Sequence, residues 1–321
     1  MPGQAADVAF FGIIKSQEFV QTNAGPPVAR ATSGFAFNAF VLASTNHVVT
    51  NATVKPSNTT PLRTLISTNA DQLVWRFEER FNSQSSLDAT YPYGSLFSPV
   101  NYNFTLGTTN DGIKMANLNY SLLSLVGGQP AVPQVTNFAA AQAIDHTANF
   151  QLQFVASGSA LLDLVQIIIL DSSSNVVFAS PAPFSAGALT GASNSFTLPG
   201  YSLPPGSQLI GHLAFVRPAF LETNAYSGAV GVPAVLRDTE FPLVTRPAPA
   251  PPRLEVLSSG ATPFVVGFTG EANRYYRLQE SVNFSNWFDL GVTNSATGTG
   301  SFTDSTSGAV SNRFYRLKVG T

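Results

Sequence analysis

The residues that could do chemistry in this chain are few and far apart. His47, His146 and His212 lie too far from one another in sequence to match any metal-ligating spacing such as His-Glu-x-x-His. Each reads as an ordinary strand or surface histidine. Glu78 and Glu79 stand between Arg76 and Arg80, which describes a paired or solvated strand face better than a glycosidase carboxylate pair. Asp111 and Asp171 occur in turn sequences, and neither has a second acid at calcium-loop spacing. No Gly-x-Ser-x-Gly elbow, phosphate-binding loop or dinucleotide fingerprint is present. With no cysteine in the chain, disulfides, thiolate zinc sites and cysteine nucleophiles are excluded. The expectation is a protein with no catalytic residues, no metal and no cofactor.

The aromatic residues offer a different chemistry. Trp75, Tyr91, Tyr93, Tyr201, Tyr226, Tyr275 and Trp287 could include a glycan-stacking platform, with Trp75, Tyr91 and Tyr93 as its first candidates, weighed against the plainer reading that such rings fill a core or an interface. Five Asn-x-Ser/Thr sequons, at Asn51, Asn58, Asn103, Asn119 and Asn283, give weak support for a surface-exposed, exported protein in so Asn- and Thr-rich a chain.

The elements that must carry these residues are strands. Charged residues make up only 11% of the 321, against 44% hydrophobic, so the polar surface comes from Ser, Thr, Asn, Gln and Gly. Such a surface suits sheet faces and offers little charge repulsion between copies. A net charge of −2 gives no electrostatic case for nucleic acid. No apolar run reaches the length that crosses a bilayer as a helix, and Val8 to Ile14 is too short and wrongly flanked for a signal peptide. A leader, if one exists, is expected to lie outside this numbering.

Residues 1–129 hold β-forming runs at Asp7–Gln21, Phe35–Leu42, Val48–Val54, Tyr102–Leu106 and Ile113–Leu123, with Asn110-Asp111-Gly112 as a hairpin turn. Leu73–Phe81 fits both a helix face and a strand, and its aromatics favour the strand. Leu87–Gly94 reads as turn chemistry. Residues 130–245 hold seven short strand candidates beginning at Val132–Phe138, as an immunoglobulin-like sandwich requires. Residues 246–252, alternating in proline, form a stiff linker. Residues 253–321 make a small β module with Trp287, Tyr276, Phe302, Phe314 and Leu317 as its expected core.

Two stretches carry a resemblance. Leu203-Pro204-Pro205-Gly206-Ser207-Gln208-Leu209, followed by alternating Leu213 and Phe215, resembles the corner before strand F of fibronectin type III domains, with Leu209 where that family has its corner tyrosine. Tyr276-x-Leu-x-x-Ser281, then Trp287, Phe302-Thr-Asp304 and Phe314-Tyr-Arg-Leu317, resembles a C-terminal β module of secreted multi-domain surface proteins of environmental bacteria. The resemblance implies an all-β chain of tandem antiparallel β-sandwich domains located outside the cell or on its surface, and implies no enzyme activity.

The segment 1–23 is the candidate joint between copies. Val8, Phe10, Phe11, Ile13, Ile14 and Phe19 could add as a strand to a neighbour's sheet edge, or could form the first strand of their own domain; both alternatives stand. The expected function is a non-enzymatic extracellular structural subunit that forms a filament or surface layer with copies of itself. The alternative is a secreted carbohydrate-binding or adhesive module with extracellular glycans as partners.

Overall fold

A computed structural model describes residues 6–56, 61–67, 69–94, 100–120, 128–158, 163–248, 251–258, 263–306 and 312–320. The sequon at Asn58 and the linker residues Pro249 and Ala250 lie outside the described residues. The chain divides into two compact units, Met1–Arg246 and Pro247–Thr321.

The first unit is organised around β1 (Val8–Val20). Its sequence is apolar at odd and even positions alike, so both faces must be covered and the strand belongs inside a sheet. It runs antiparallel to β3 (Phe35–Ala43), from Phe10↔Leu42 to Gln17↔Phe35, and parallel to β16 (Val230–Val244), from Phe10↔Val230 to Val20↔Glu240. From this centre the sheet extends on one side through β15 (Gln208–Pro218), β11 (Leu164–Leu170) and β12 (Val176–Ala179). On the other side it extends through β7 (Val74–Phe81) and β6 (Ile66–Ser67). Two short strands, β2 (Val28–Ala29) beside β1 and β13 (Leu189–Thr190) beside β11, bring the total to ten.

Strand parity puts two cores on the same face of this sheet. Phe11 and Ile13 of β1 and Val41 of β3 pack with Phe104, Leu106 and Leu118 of a four-stranded sheet. That sheet has the order β5 (Arg63–Thr64), β4 (Val49–Pro56), β8 (Val100–Thr108), β9 (Ile113–Tyr120). Further along, Val165, Ile167, Leu213, Phe215 and Phe241 pack with Leu152 and Leu198 of the β10 (Phe150–Gln153) and β14 (Ser195–Leu198) pair, and with Phe138 of the short helix α2 (Phe138–Ala141). The opposite face of the sheet carries a smaller cluster of Val216, Val232 and Ala234, with Phe10, Ile14 and Phe40 half-buried beside them. The architecture is all-β, built as sandwiches.

Residues 1–129 and 130–245 therefore do not form separate bodies: β1, from the first stretch, finds its parallel partner in β16, from the second. Two local expectations also change. Leu87–Gly94 is not wholly turn, because Ser83 caps a helix, α1 (Gln84–Thr90), by accepting a hydrogen bond from the Ser86 amide at 3.1 Å. Val132–Phe138 makes only an isolated bridge at Val135↔Phe154 before α2 begins. The ambiguous Leu73–Phe81 stretch is strand β7, and Asn110-Asp111-Gly112 turns β8 into β9 with Gly112 at φ 73°.

The second unit stacks β17 (Arg253–Ser258), β18 (Phe264–Thr269) and β21 (Thr299–Asp304) against β20 (Phe288–Ser295), β19 (Arg274–Ser281) and β22 (Phe314–Gly320). Val266, Phe268, Tyr276, Leu278 and Phe302 form its core.

Candidate functional site

The first candidate is β1 in its slot. Gly12 is required at the middle of the strand, since a Cβ there would lie 2.3 Å from the Val232 carbonyl oxygen and 2.8 Å from the Phe40 ring. Three polar clips hold the strand along its length. At its start, the Asp7 carboxylate accepts hydrogen bonds from the Asn110 amide (2.7 Å), the Asn110 side chain (2.7 Å) and the Asp111 amide (3.1 Å). Burial pushes the Asp7 carboxyl up, but these bonds outweigh it and hold it below its ordinary value. The Asp111 carboxylate in turn accepts from the Asp7 amide (2.9 Å) and the Tyr226 hydroxyl (2.6 Å).

In the middle, Lys15 is buried with its Nζ 2.8 Å from Asp88 Oδ1 on α1 and 3.3 Å from the centroid of the Tyr93 ring. Burial lowers the Lys15 amine to about 8, with Asp88 partly opposing the shift. At the exit, the Gln21 carboxamide donates to Val135 O (2.9 Å) and accepts from the Val135 amide (2.9 Å).

Val8, Phe10, Phe11, Ile13, Ile14 and Phe19 thus all lie on β1, within the chain's own sheet. Of the two alternatives for residues 1–23, the within-chain pairing is the arrangement seen. Both edges of β1 are occupied from Phe10 to Gln17, so an edge-to-edge addition that leaves it at home is ruled out.

The second candidate does not survive. Tyr91 is fully buried, its ring stacked on Phe37 with centroids 3.7 Å apart. Its hydroxyl donates to Glu79 Oε2 (2.6 Å) and accepts from Arg63 Nε (2.8 Å). Tyr93 lies under Lys15, and half-buried Trp75 packs against the same core while donating its indole N–H to Gln72 O (3.1 Å). The three rings face the interior and offer no sugar platform, because a two-faced sandwich of this size draws on its aromatics for volume. Glu79 is bound to Arg63 and Tyr91 rather than poised for acid–base work, and Glu78 pairs with Arg80.

His212 and the turn acid Asp171 are held by near neighbours, whereas both ring nitrogens of His146 are buried without a hydrogen-bond partner. His212 Nδ1 lies 2.7 Å from Asp238 Oδ2, a contact that raises its pKa against the opposing effect of burial. Asp171 accepts from the Ser173 and Asn175 amides and so closes its own turn. Among the described residues no three His, Asp or Glu side chains gather as metal ligands, and no helix is long and apolar enough to cross a membrane.

The third site is one that reading the residues as a core missed. Trp287 and Phe314 are not in the core of the second unit. They belong to a surface cluster at one end of the β20-β19-β22 sheet. The Phe284 ring lies 3.6 Å from that of Phe314, and the Arg316 guanidinium sits 4.1 Å from the Trp287 ring centroid. Phe284 is 63% exposed and has φ 59°, a conformation rare for a bulky side chain. Asn283 imposes it by accepting from the amides of Ser285 (3.0 Å) and Asn286 (2.9 Å), and Trp287 Nε1 donates to Phe284 O (2.9 Å). Parity carried the signal: Tyr315 and Leu317 face the core, so Phe314 and Arg316 must face outward.

No family model matches this chain, and no curated protein matches it. Among solved structures it is similar to the FN1–FN3 domains of chicken CNTN1, at 10% identity and a TM-score of 0.22, over 99% of this chain and 94% of that one. It is also similar to dimeric latent PorU from Porphyromonas gingivalis, at 10% identity and a TM-score of 0.21, over 95% of this chain but 31% of that one.

Proposed function

We propose that this protein is a non-enzymatic structural subunit that works outside the cell and assembles with copies of itself by exchanging β1. The observation that carries the reading is the position of β1 as a two-sided insert. It is joined to β3 by the Gln21–Gly34 connection, and its pairing with β16 is parallel where the sheet's other ladders are antiparallel. A slot filled by a segment on a connection of this kind can be filled by the same segment of another copy, with the ladders to β3 and β16 reproduced. Head-to-tail exchange whose rotation does not close into a ring yields a filament. The low charge of the surface suits such an assembly, since copies repel one another weakly.

Electron microscopy of the concentrated full-length protein tests this reading. Regular filaments or a lattice are expected. Monodisperse single particles at every concentration would contradict it.

A further inference from the structure

The outward face of the β20-β19-β22 sheet combines groups that its own unit does not need there. Two cross-strand rows on this face follow from the register: Val292, Arg277 and Lys318, then Asp289, Gln279 and Arg316. In the first row Arg277 and Lys318 are directly opposite, a like-charge pairing that weakens a sheet. Arg277 leans to Asp289 (2.7 Å), while Lys318 is exposed. In the second row Asp289 accepts from Gln279 Nε2 (2.6 Å), and Gln279 accepts from Arg316 Nε (2.8 Å), which fixes Arg316 over Trp287. Beyond the rows stands the rigid tip that presents Phe284.

Three cations against one carboxylate mark this face as positive in a chain whose net charge is −2. An exposed ring held by a locked turn lies at one end, and half-exposed Tyr275 lies at the other. Six residues of β19 separate the ends, about 20 Å of strand. Planar rings with flanking cations suit a ligand that has apolar ring faces and regularly spaced negative charges.

We propose that this face binds an extended acidic polysaccharide of the uronic acid class. Sugar rings stack on Phe284, and sugar carboxylates meet Arg277 and Lys318. This assignment stands independently of β1 exchange, because it uses only residues of the second unit. It also moves glycan chemistry from Trp75, Tyr91 and Tyr93, which pack into or against the first unit's core, to an aromatic cluster whose Phe284 is accessible.

Affinity electrophoresis of the full-length chain through gels containing polygalacturonate, dextran or no polymer tests it, with anionic lipid vesicles in a parallel flotation assay. Retardation is expected in polygalacturonate alone, and it should vanish at high salt. Lys318→Gln removes an exposed charge that the fold does not use, and should weaken retention about fivefold. Phe284→Ala should weaken it about tenfold. The proposal is overturned by equal migration in all gels, by equal retention in dextran, by retention that neither substitution changes, or by vesicle binding without polygalacturonate binding.

Discussion

Lys15 concentrates the chemistry of the first unit in one amine. In the unfolded chain it titrates near 10.5, and in the fold burial holds it at about 8. Between those values the unfolded chain carries a proton that the folded chain has released, so stability rises with pH across this window. The gain is up to about 3 kcal/mol. Burial raises Tyr93, Tyr102 and Tyr120 above the ordinary tyrosine value of 10.0, so they stay neutral in the fold and ionise first in the unfolded chain. They therefore oppose the gain above that pH. Urea midpoints measured by fluorescence should rise from pH 8 towards 10 and then fall, and in Lys15→Met the rise should disappear. Tyr91→Ala tests the other residue-scale conclusion. It should cost about 3–5 kcal/mol by emptying the stack on Phe37, a loss seen in denaturation and not in glycan binding.

At the scale of elements, β1 explains why some of the fold was legible in the residues and some was not. Its run of Val, Phe and Ile on both faces announces a strand, and so do the alternation in β8 and the Asn-Asp-Gly turn before β9. What a local pattern cannot contain is the partner: the choice of β16, more than two hundred residues away, depends on long-range packing. The same limit hid the surface cluster, since Trp287 reads as core until the parity of Phe314 and Arg316 is fixed by the pairing of β22 with β19. Ser83 starts a helix of only seven residues, too short to show a periodic apolar face ahead of the Tyr-Pro-Tyr-Gly stretch. Two substitutions test how β1 is held. Gly12→Val must displace the Val232 backbone and should lower stability by at least about 2 kcal/mol, read as a fall in melting temperature. Gln21→Ala leaves the Val135 amide without its Gln21 partner and should cost about 1–3 kcal/mol, with faster amide hydrogen exchange at Val135.

At the scale of the whole molecule, residues 1–246 form one unit because β16 lines both cores on the sheet's covered face, with Val235 in one and Phe241 and Leu243 in the other. A fragment ending at residue 129 lacks β16 and should fail to fold, whereas one ending at 246 should give a cooperative transition in circular dichroism. The central claim, that β1 is the joint between copies, is tested most directly with a cysteine pair, because the chain has no cysteine of its own. Ile14 and Asn38 are paired across β1 and β3. The Ile14→Cys, Asn38→Cys double variant, assembled under reducing conditions, oxidised and run on a non-reducing gel, should give a ladder of chains covalently joined from one copy's β1 to the next copy's β3. A single band at the mass of one chain would place β1 at home in every subunit and contradict the account.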